Sequence, residues 1–285
     1  MTQPRGVYSL PLAHGELSEK DALELRQLKE QIRRDVGFYC DGYKEHCLRR
    51  RIAVRMRARG LHSYADYAAL LLTDAQEYQK LRDAVTINVS KFYRNPEVWQ
   101  VLDQRVLPGL FASDRDIRIW SAGCAGGEEP YSIAMLLREH ATRTGQQARL
   151  AHFDVLGTDI DTESLETARR ATYTAFAFTD IEPALRQKWF EPPDHLRVRS
   201  EIREAVRFQT LDLITSDFDQ GYDVIFCRNV VIYFERVIQE ALFAKFHAAL
   251  APGGILVLGK VETLFGRSGN LYTPLAQRER VFIKR

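Results

Sequence analysis

Apolar side chains recur three and four positions apart through the first third of the chain, and this spacing predicts helices throughout it. Ser18-Glu-Lys-Asp21 has the form of a capping box, and Leu25, Leu28 and Ile32 follow at helical spacing until Gly37 stops the pattern, giving a helix over about 19–36. A second helical pattern runs from Tyr43 to Arg59, with Leu48, Ile52 and Met56 on one stripe. Ser63 and Thr73 are placed to cap helices over Tyr64–Leu72 and Asp74–Val85, and Asn95-Pro96 opens another to about Leu107.

At Ile117 the period changes. Ile117–Ser121, His152–Thr158, Tyr222–Cys227 and Ile255–Gly259 are short apolar runs, separated by helical patterns over Glu128–His140, Glu163–Ala171 and Glu235–Leu250. Arg280–Lys284 is expected as a final edge strand. Strands alternating with helices, apolar enough to be covered on both faces, predict an α/β fold with a doubly wound, mainly parallel sheet. Between Tyr173 and Phe208 the alternation is interrupted by a helix near Pro183–Phe190 and by the β-prone stretches Leu196–Arg199 and Ala205–Phe208, which are expected to form a small inserted β-subdomain. The organisation expected is a flexible N-terminus over 1–17, an all-helical domain over 18–94, and a sheet domain over 95–285 carrying the insertion at about 173–208.

In open α/β sheets a ligand lies beyond the carboxyl ends of the strands. After the first strand, Gly123-Cys-Ala-Gly-Gly127 offers a turn that a ligand can approach and then a helix N-terminus. That helix begins Glu128-Glu129, a pair that repels a pyrophosphate and suits the ammonium or sulfonium of S-adenosylmethionine (SAM), which moves the expectation away from a dinucleotide. Asp159, ending the second strand, is placed for both ribose hydroxyls, while Asp161 suits capping of the next helix. Asp212 is a candidate for the adenine amino group or an ordinary loop aspartate. Arg228 and Asn229, after the strand ending at Cys227, and Tyr233 one turn later place polar groups at the same rim.

Composition narrows the class. Charged residues make up 27% of the chain but nearly cancel, at formal net +2, so no global basic field for nucleic acid exists. The four cysteines and seven histidines are dispersed, with no zinc or redox spacing, so no metal is expected. No signal peptide and no run of about 18 apolar residues is present, which predicts a cytoplasmic protein without membrane insertion. The one concentrated charge is local: Lys44, Arg49, Arg50, Arg51, Arg55, Arg57 and Arg59 crowd the second helix.

Three stretches, Thr86-Ile-Asn-Val-Ser-Lys-Phe-Tyr-Arg94, Trp120-Ser-Ala-Gly-Cys-Ala-Gly-Gly-Glu-Glu-Pro-Tyr-Ser132 and Phe226-Cys-Arg-Asn-Val-Val-Ile-Tyr-Phe234, supported by Gly157-Thr-Asp-Ile-Asp-Thr162, resemble the chemotaxis receptor glutamate methyltransferases, the CheR family. The resemblance spans about residue 20 to the end. It implies a SAM-dependent methyltransferase, Rossmann-like in its sheet domain, that converts receptor glutamates to methyl esters and releases S-adenosylhomocysteine (SAH). It further implies that Asn88, Ser90 and Arg94 close over the cofactor, that Glu128 or Glu129 holds the charged methionine portion, Asp159 the ribose, Asp212 and Leu213 the adenine, and Arg228 and Asn229 the rest of the rim. Arg94 and Tyr233 are the candidates flanking the transferred methyl.

Under this resemblance the basic helix is expected to dock the acidic helices of the chemoreceptor cytoplasmic domain through Arg49, Arg51, Arg55 and Arg59, the enzyme acting as a monomer. Many members carry Gly-His-Ser-Glu where this chain has Gly259-Lys-Val-Glu262. Phe190-Glu-Pro-Pro-Asp-His195 lacks the glycine-containing insertion of members that bind a receptor's C-terminal pentapeptide, so pentapeptide-independent recognition is expected. A nucleic-acid methyltransferase is disfavoured by the lack of an Asn/Asp-Pro-Pro-aromatic motif or a Pro-Cys nucleophile pair. A non-catalytic SAM sensor or scaffold is disfavoured by the near-complete motif set.

Overall fold

The computed structural model describes residues 16–86 and 90–285. The sequence expectations for 1–15, and for Asn88, lie outside the described residues. The chain forms two compact units, one of the residues up to Ile87 with Tyr233–Glu235, the other of 88–232 with 236–285. The division falls before the Thr86–Arg94 motif is complete, so Ser90 and Arg94 belong to the second unit and not to the helical one expected to reach residue 94.

In the first unit, α1 (Glu19–Val36) starts where the Ser18 hydroxyl accepts the Asp21 N–H and ends at Gly37, whose φ of +68° lets its N–H return to Arg33. After a short turn at Cys40–Gly42, α2 (Glu45–Ala58) buries Leu48, Ile52 and Met56, the predicted stripe. Ser63 caps α3 (Tyr64–Thr73), as its spacing predicts. The cap of α4 (Ala75–Val85) is Asp74 and not Thr73: the Thr73 hydroxyl donates back to the Leu70 carbonyl within α3, which leaves the Asp74 carboxylate to accept the Glu77 N–H. Tyr233–Glu235 joins this unit by main-chain bonds, Lys44 N–H to the Tyr233 carbonyl (2.8 Å) and Glu235 N–H to the Gly42 carbonyl (2.9 Å).

The second unit opens with α5 (Pro96–Val101) and α6 (Leu107–Phe111), joined by one wide turn over Leu102–Val106. Pro108 has no N–H to give the carbonyl four residues back, so the expected single helix widens before it. Then follow β1 (Ile117–Ala122), α7 (Glu128–Thr144), β2 (Phe153–Asp159), α8 (Thr162–Arg170), α9 (Pro183–Trp189), β3 (Phe190–Glu191), β4 (Arg197–Val198), α10 (Ser200–Arg203), β5 (Val206–Thr210), β6 (Tyr222–Cys227), α11 (Arg236–Ala249), β7 (Leu250–Leu258), β8 (Tyr272–Ala276) and β9 (Val281–Lys284). The main sheet has the order β5-β2-β1-β6-β7-β9-β8, parallel from β5 to β7 and antiparallel at β9 and β8. The order in which strands are added switches sides between the parallel neighbours β1 and β6, and the crevice beyond their carboxyl ends is where such sheets bind ligands.

Three sequence expectations change. Val206–Thr210 is not part of an insertion: it pairs in parallel with β2, Asp159 opposite Thr210, so the inserted antiparallel pair is only β3 with β4. The strand at the C-terminus is not the edge, because β9 pairs with β7 on one side and β8 on the other. The true edge, β8, was not read from the sequence. Its Pro274 cannot donate to a ladder and is tolerated at an edge.

Candidate active site

The turn after β1 is held by sterics that demand glycine. Gly123 (φ +78°) would set a Cβ 2.5 Å from Val230 Cγ2, and Gly127 (φ +88°) would set one 2.8 Å from the Ala168 Cβ. The space freed by these two glycines is thus taken by Val230 and α8 of the protein itself, and not by a ligand as the sequence reading had it. The turn's own N–H groups at Gly123 and Cys124 go to the Thr158 carbonyl, locking it to the end of β2.

Asp159 sits at that end, buried, with Oδ2 accepting the Ala125 N–H (2.8 Å) and Oδ1 the Asp161 N–H (2.9 Å). Each oxygen retains acceptor capacity, enough for two hydroxyls. Burial pushes its carboxyl up and the two N–H donors pull it back. Asp161 caps α8 through the Glu163 N–H.

Glu128 and Glu129 are both buried in the first turn of α7, and their environments differ. Glu129 is committed: Ser121 Oγ donates to one oxygen (2.7 Å), and Arg228 Nη1 lies 3.3 Å from the other. Burial raises its carboxyl, opposed by Arg228, Ser121 and Arg94. Glu128 has a buried Oε2 with no hydrogen-bond partner, and burial, with Glu129 adding repulsion, pushes its carboxyl up to about 7. A buried carboxylate oxygen without a partner costs free energy that an arriving cation would recover. The donor and acceptor chemistry of these three carboxyls therefore fits a cationic, ribose-bearing cofactor, and Glu128, not Glu129, has the open acceptor.

Arg228 was expected at the rim and is instead a buried tie. Its Nη2 donates to the Arg94 carbonyl and to Asn95 Oδ1, both at 2.9 Å, while Nη1 faces Glu129. Asn229 follows with φ +61° and a buried Oδ1 that has no partner.

The segment Ser90–Arg94 is fixed from three sides. Phe92 is fully buried among Tyr173, Phe178 and Phe190, with ring centroids 4.8–5.3 Å away, and its N–H bonds to the Ala177 carbonyl. Tyr93 N–H bonds to Ser132 Oγ (3.0 Å), and Lys91 pairs with Asp180 (3.3 Å). Tyr173 also donates its hydroxyl to the Gly126 carbonyl (2.6 Å), so one side chain of the inserted segment touches both the glycine turn and the Phe92 anchor. Sequence reasoning missed this residue. Ser90 is half-buried close by in sequence. Tyr233 is carried by the helical unit.

The Asp212 carboxylate accepts the Ile214 N–H and the Thr215 hydroxyl, each at 2.8 Å, and so caps its own turn, as an ordinary loop aspartate does. Leu213 beside it is buried.

Of the four arginines expected to dock a partner, two are spent inside the helical unit. Arg55 makes a two-pronged pair with the fully buried Glu77 (2.8 and 2.9 Å), and Arg49 is buried beside Glu45. Arg59 pairs with Asp74 (2.9 Å), and Arg51 is half-buried. The bases that α2 turns outward are Arg50 and Arg57, with exposed Val54 between them at helical spacing.

Among the described residues no group of three His, Cys, Asp or Glu side chains is arranged for a metal ion, and no helix is long and apolar enough to cross a membrane.

Two family models match this sequence: "CheR methyltransferase, SAM binding domain" over residues 88–280 and "CheR methyltransferase, all-alpha domain" over 23–86. A chemotaxis protein methyltransferase of Listeria innocua is 34% identical over 249 residues, covering 86% of this chain and 91% of that protein. One from Klebsiella aerogenes is 33% identical over 258 residues (87% and 85%), and chemotaxis protein methyltransferase 1 of Pseudomonas aeruginosa is 31% identical over 241 residues (82% and 87%).

Proposed function

The chain belongs to the CheR methyltransferase family, and from that premise we propose that it esterifies glutamate side chains on the cytoplasmic helices of chemoreceptors, using SAM and releasing SAH. The observation that carries the reading at the site is the trio of carboxyls beyond the strand ends, Glu128 and Glu129 in the first turn of α7 and Asp159 at the end of β2, with Asp159 held by two N–H groups and Glu128 left with an unmet acceptor. Asp159 takes the ribose, Glu128 the charged methionine end, and Asp212 with Leu213 borders the adenine. Ser90 and Arg94 close over the methionine side, and Arg94 borders the reacting methyl.

SAM supplies a methyl group activated on a sulfonium. The protein's task is to align and desolvate. A glutamate with a reference pKa of about 4.3 is already a carboxylate at neutral pH, so no general base is needed. Since anion and sulfonium neutralise each other as the bond forms, a site that excludes water and holds both in line provides most of the rate. Arg228 and Arg94 both act electrostatically on Glu129, which holds this side of the site in place.

The pH dependence follows from Glu128. Its folded-state pKa of about 7 lies above the ordinary value of 4.5, so its contribution to the stability of the ligand-free protein is fully present below pH 4.5 and is lost as pH rises through 7. Cofactor binding has the opposite sign, because only the ionised carboxylate pairs with the cation. SAM affinity should fall towards tenfold per unit as pH drops below about 7, and Glu128→Gln should flatten that profile. Calorimetric titration between pH 6 and 8 decides it; an unchanged slope in the variant removes Glu128 from the cation site.

Docking is assigned to the outward face of α2. Arg50→Glu with Arg57→Glu should slow receptor methylation by about tenfold at low salt and less at high salt, with SAM affinity unchanged. The two-residue strands of the inserted pair support recognition that does not need the receptor's C-terminal pentapeptide, and receptor fragments with and without it should be methylated at equal rates. Acting on cytoplasmic helices of receptors, the protein would work in the cytoplasm. The deciding experiment is transfer of labelled methyl from SAM to receptor cytoplasmic fragments followed by mild base. Base-labile label is expected, since esters hydrolyse; base-stable label, or none, overturns the assignment.

A further inference from the structure

Glu262 is 2% exposed, and neither the motif comparison nor the transfer chemistry gives it a task. Its Oε2 accepts the N–H groups of Gly259 (2.6 Å) and Asn229 (3.0 Å), and its Oε1 those of Val230 (2.9 Å) and Val231 (3.0 Å). Four main-chain donors from two separate turns, one after β6 and one after β7, thus converge on one carboxylate. Burial pushes its carboxyl up, and the four donors pull it back.

We propose that Glu262 is a positioning residue for the transfer site, fixing the turn after β6 in the one conformation that presents Arg228 to Glu129 and Arg94 and turns the Asn229 side chain to the cofactor rim. This rests on the functional reading above. Asn229 has φ +61°, a backbone state that non-glycine residues adopt only under compensation, and three consecutive N–H groups starting at Asn229 are the ones Glu262 collects. Gly259 provides an independent sign of how close the two turns lie: a Cβ there would stand 2.8 Å from both Asn229 N and Glu262 Oε2. Val230, in the same turn, fills the space that the missing Gly123 side chain leaves. The carboxylate therefore sets, through one turn, both the Arg228 tie and the wall against the glycine turn. Lys260 and Val261 between the two anchors are exposed.

Glu262→Gln tests the role because an amide cannot accept from all four donors; its NH2 would face two N–H groups. In the full-length protein, the variant should stay folded by circular dichroism, bind SAH at least tenfold more weakly, and lose turnover about 100-fold, the scale of an ångström-sized displacement. Glu262→Asp, which keeps the charge, should recover part of both. A variant whose melting temperature falls while SAH affinity and turnover per folded molecule stay at wild-type values shows a structural residue only and overturns the proposal. Hydrogen exchange on the wild-type protein guards against a variant that does not fold. The amides of Asn229, Val230, Val231 and Gly259 should be protected before SAH is added, and exchange at the rate of an open loop overturns the proposal. Wild-type protein that fails to bind SAH would instead refute the cofactor assignment itself, a separate result.

Discussion

Arg228→Met should destabilise the sheet unit by about 3–5 kcal/mol and abolish methyl transfer. The guanidinium is buried, and Glu129 is buried opposite it, so removing one partner leaves a buried carboxylate without its directly paired cation, and losses of about this size follow. For a unit of this size about 3–5 kcal/mol corresponds to a fall in melting temperature on the order of 10 °C. Arg94 and Asn95 also lose their shared donor, which frees the segment that closes the site. The stranded Glu129 would be pushed further up than burial already pushes it. With a folded-state pKa above the unfolded value, the variant's lost stability should return as pH falls below that pKa, and be most complete below the unfolded one. Thermal unfolding at pH 5 and pH 8, paired with the labelled-methyl assay, reads both effects. The double variant Arg228→Met, Glu129→Gln separates them: stability should largely recover, since no charge is left buried, while activity should not. Near-wild-type stability of the single variant would mean that Arg228 does not support this site.

The candidate carboxyls could be picked out because topology alone says where a parallel sheet binds ligands: Asp159 ends β2, and Glu128 and Glu129 open the helix after β1. Which glutamate is committed was not legible. Ser121 and Arg228 approach Glu129 from elsewhere in the chain, and only their coordinates leave Glu128 with the open acceptor. Helix starts at Ser18 and Ser63 could be read locally, since a cap acts over three residues. The β5 strand was misassigned to the insertion because its partner, β2, lies about fifty residues earlier, and no periodicity encodes a non-local parallel pairing. Glu262 was visible in Gly259-Lys-Val-Glu262, yet nothing in that string announces four N–H donors from two turns. Counting the arginines of α2 failed for a related reason. Charge is a property of the sequence, but whether a charge is already paired depends on which helices pack beside it.

That distinction makes Arg55→Glu the severest test of the helical unit. Glu77 is fully buried and accepts from Arg55 Nε, Arg55 Nη2 and the Tyr67 hydroxyl, so α2, α3 and α4 meet on one carboxylate. Reversal would replace its two strongest donors with a second carboxylate. Breaking such a pair costs about 3–5 kcal/mol before any repulsion is added, and a helical unit of this size has on the order of 3–10 kcal/mol to lose. The unit should therefore unfold. In the full chain, hydrogen exchange should lose protection across α2–α4, with the strands of the main sheet still protected. Arg57→Glu, made on the outward face of the same helix, should leave that protection intact. A drop in receptor methylation after Arg55→Glu consequently reports a melted unit, whereas the same drop after Arg57→Glu reports a lost encounter. If Arg55→Glu retains cooperative unfolding and slow exchange in α2–α4, the Glu77 node does not hold the unit together, and Arg55 returns to the set of residues available for docking.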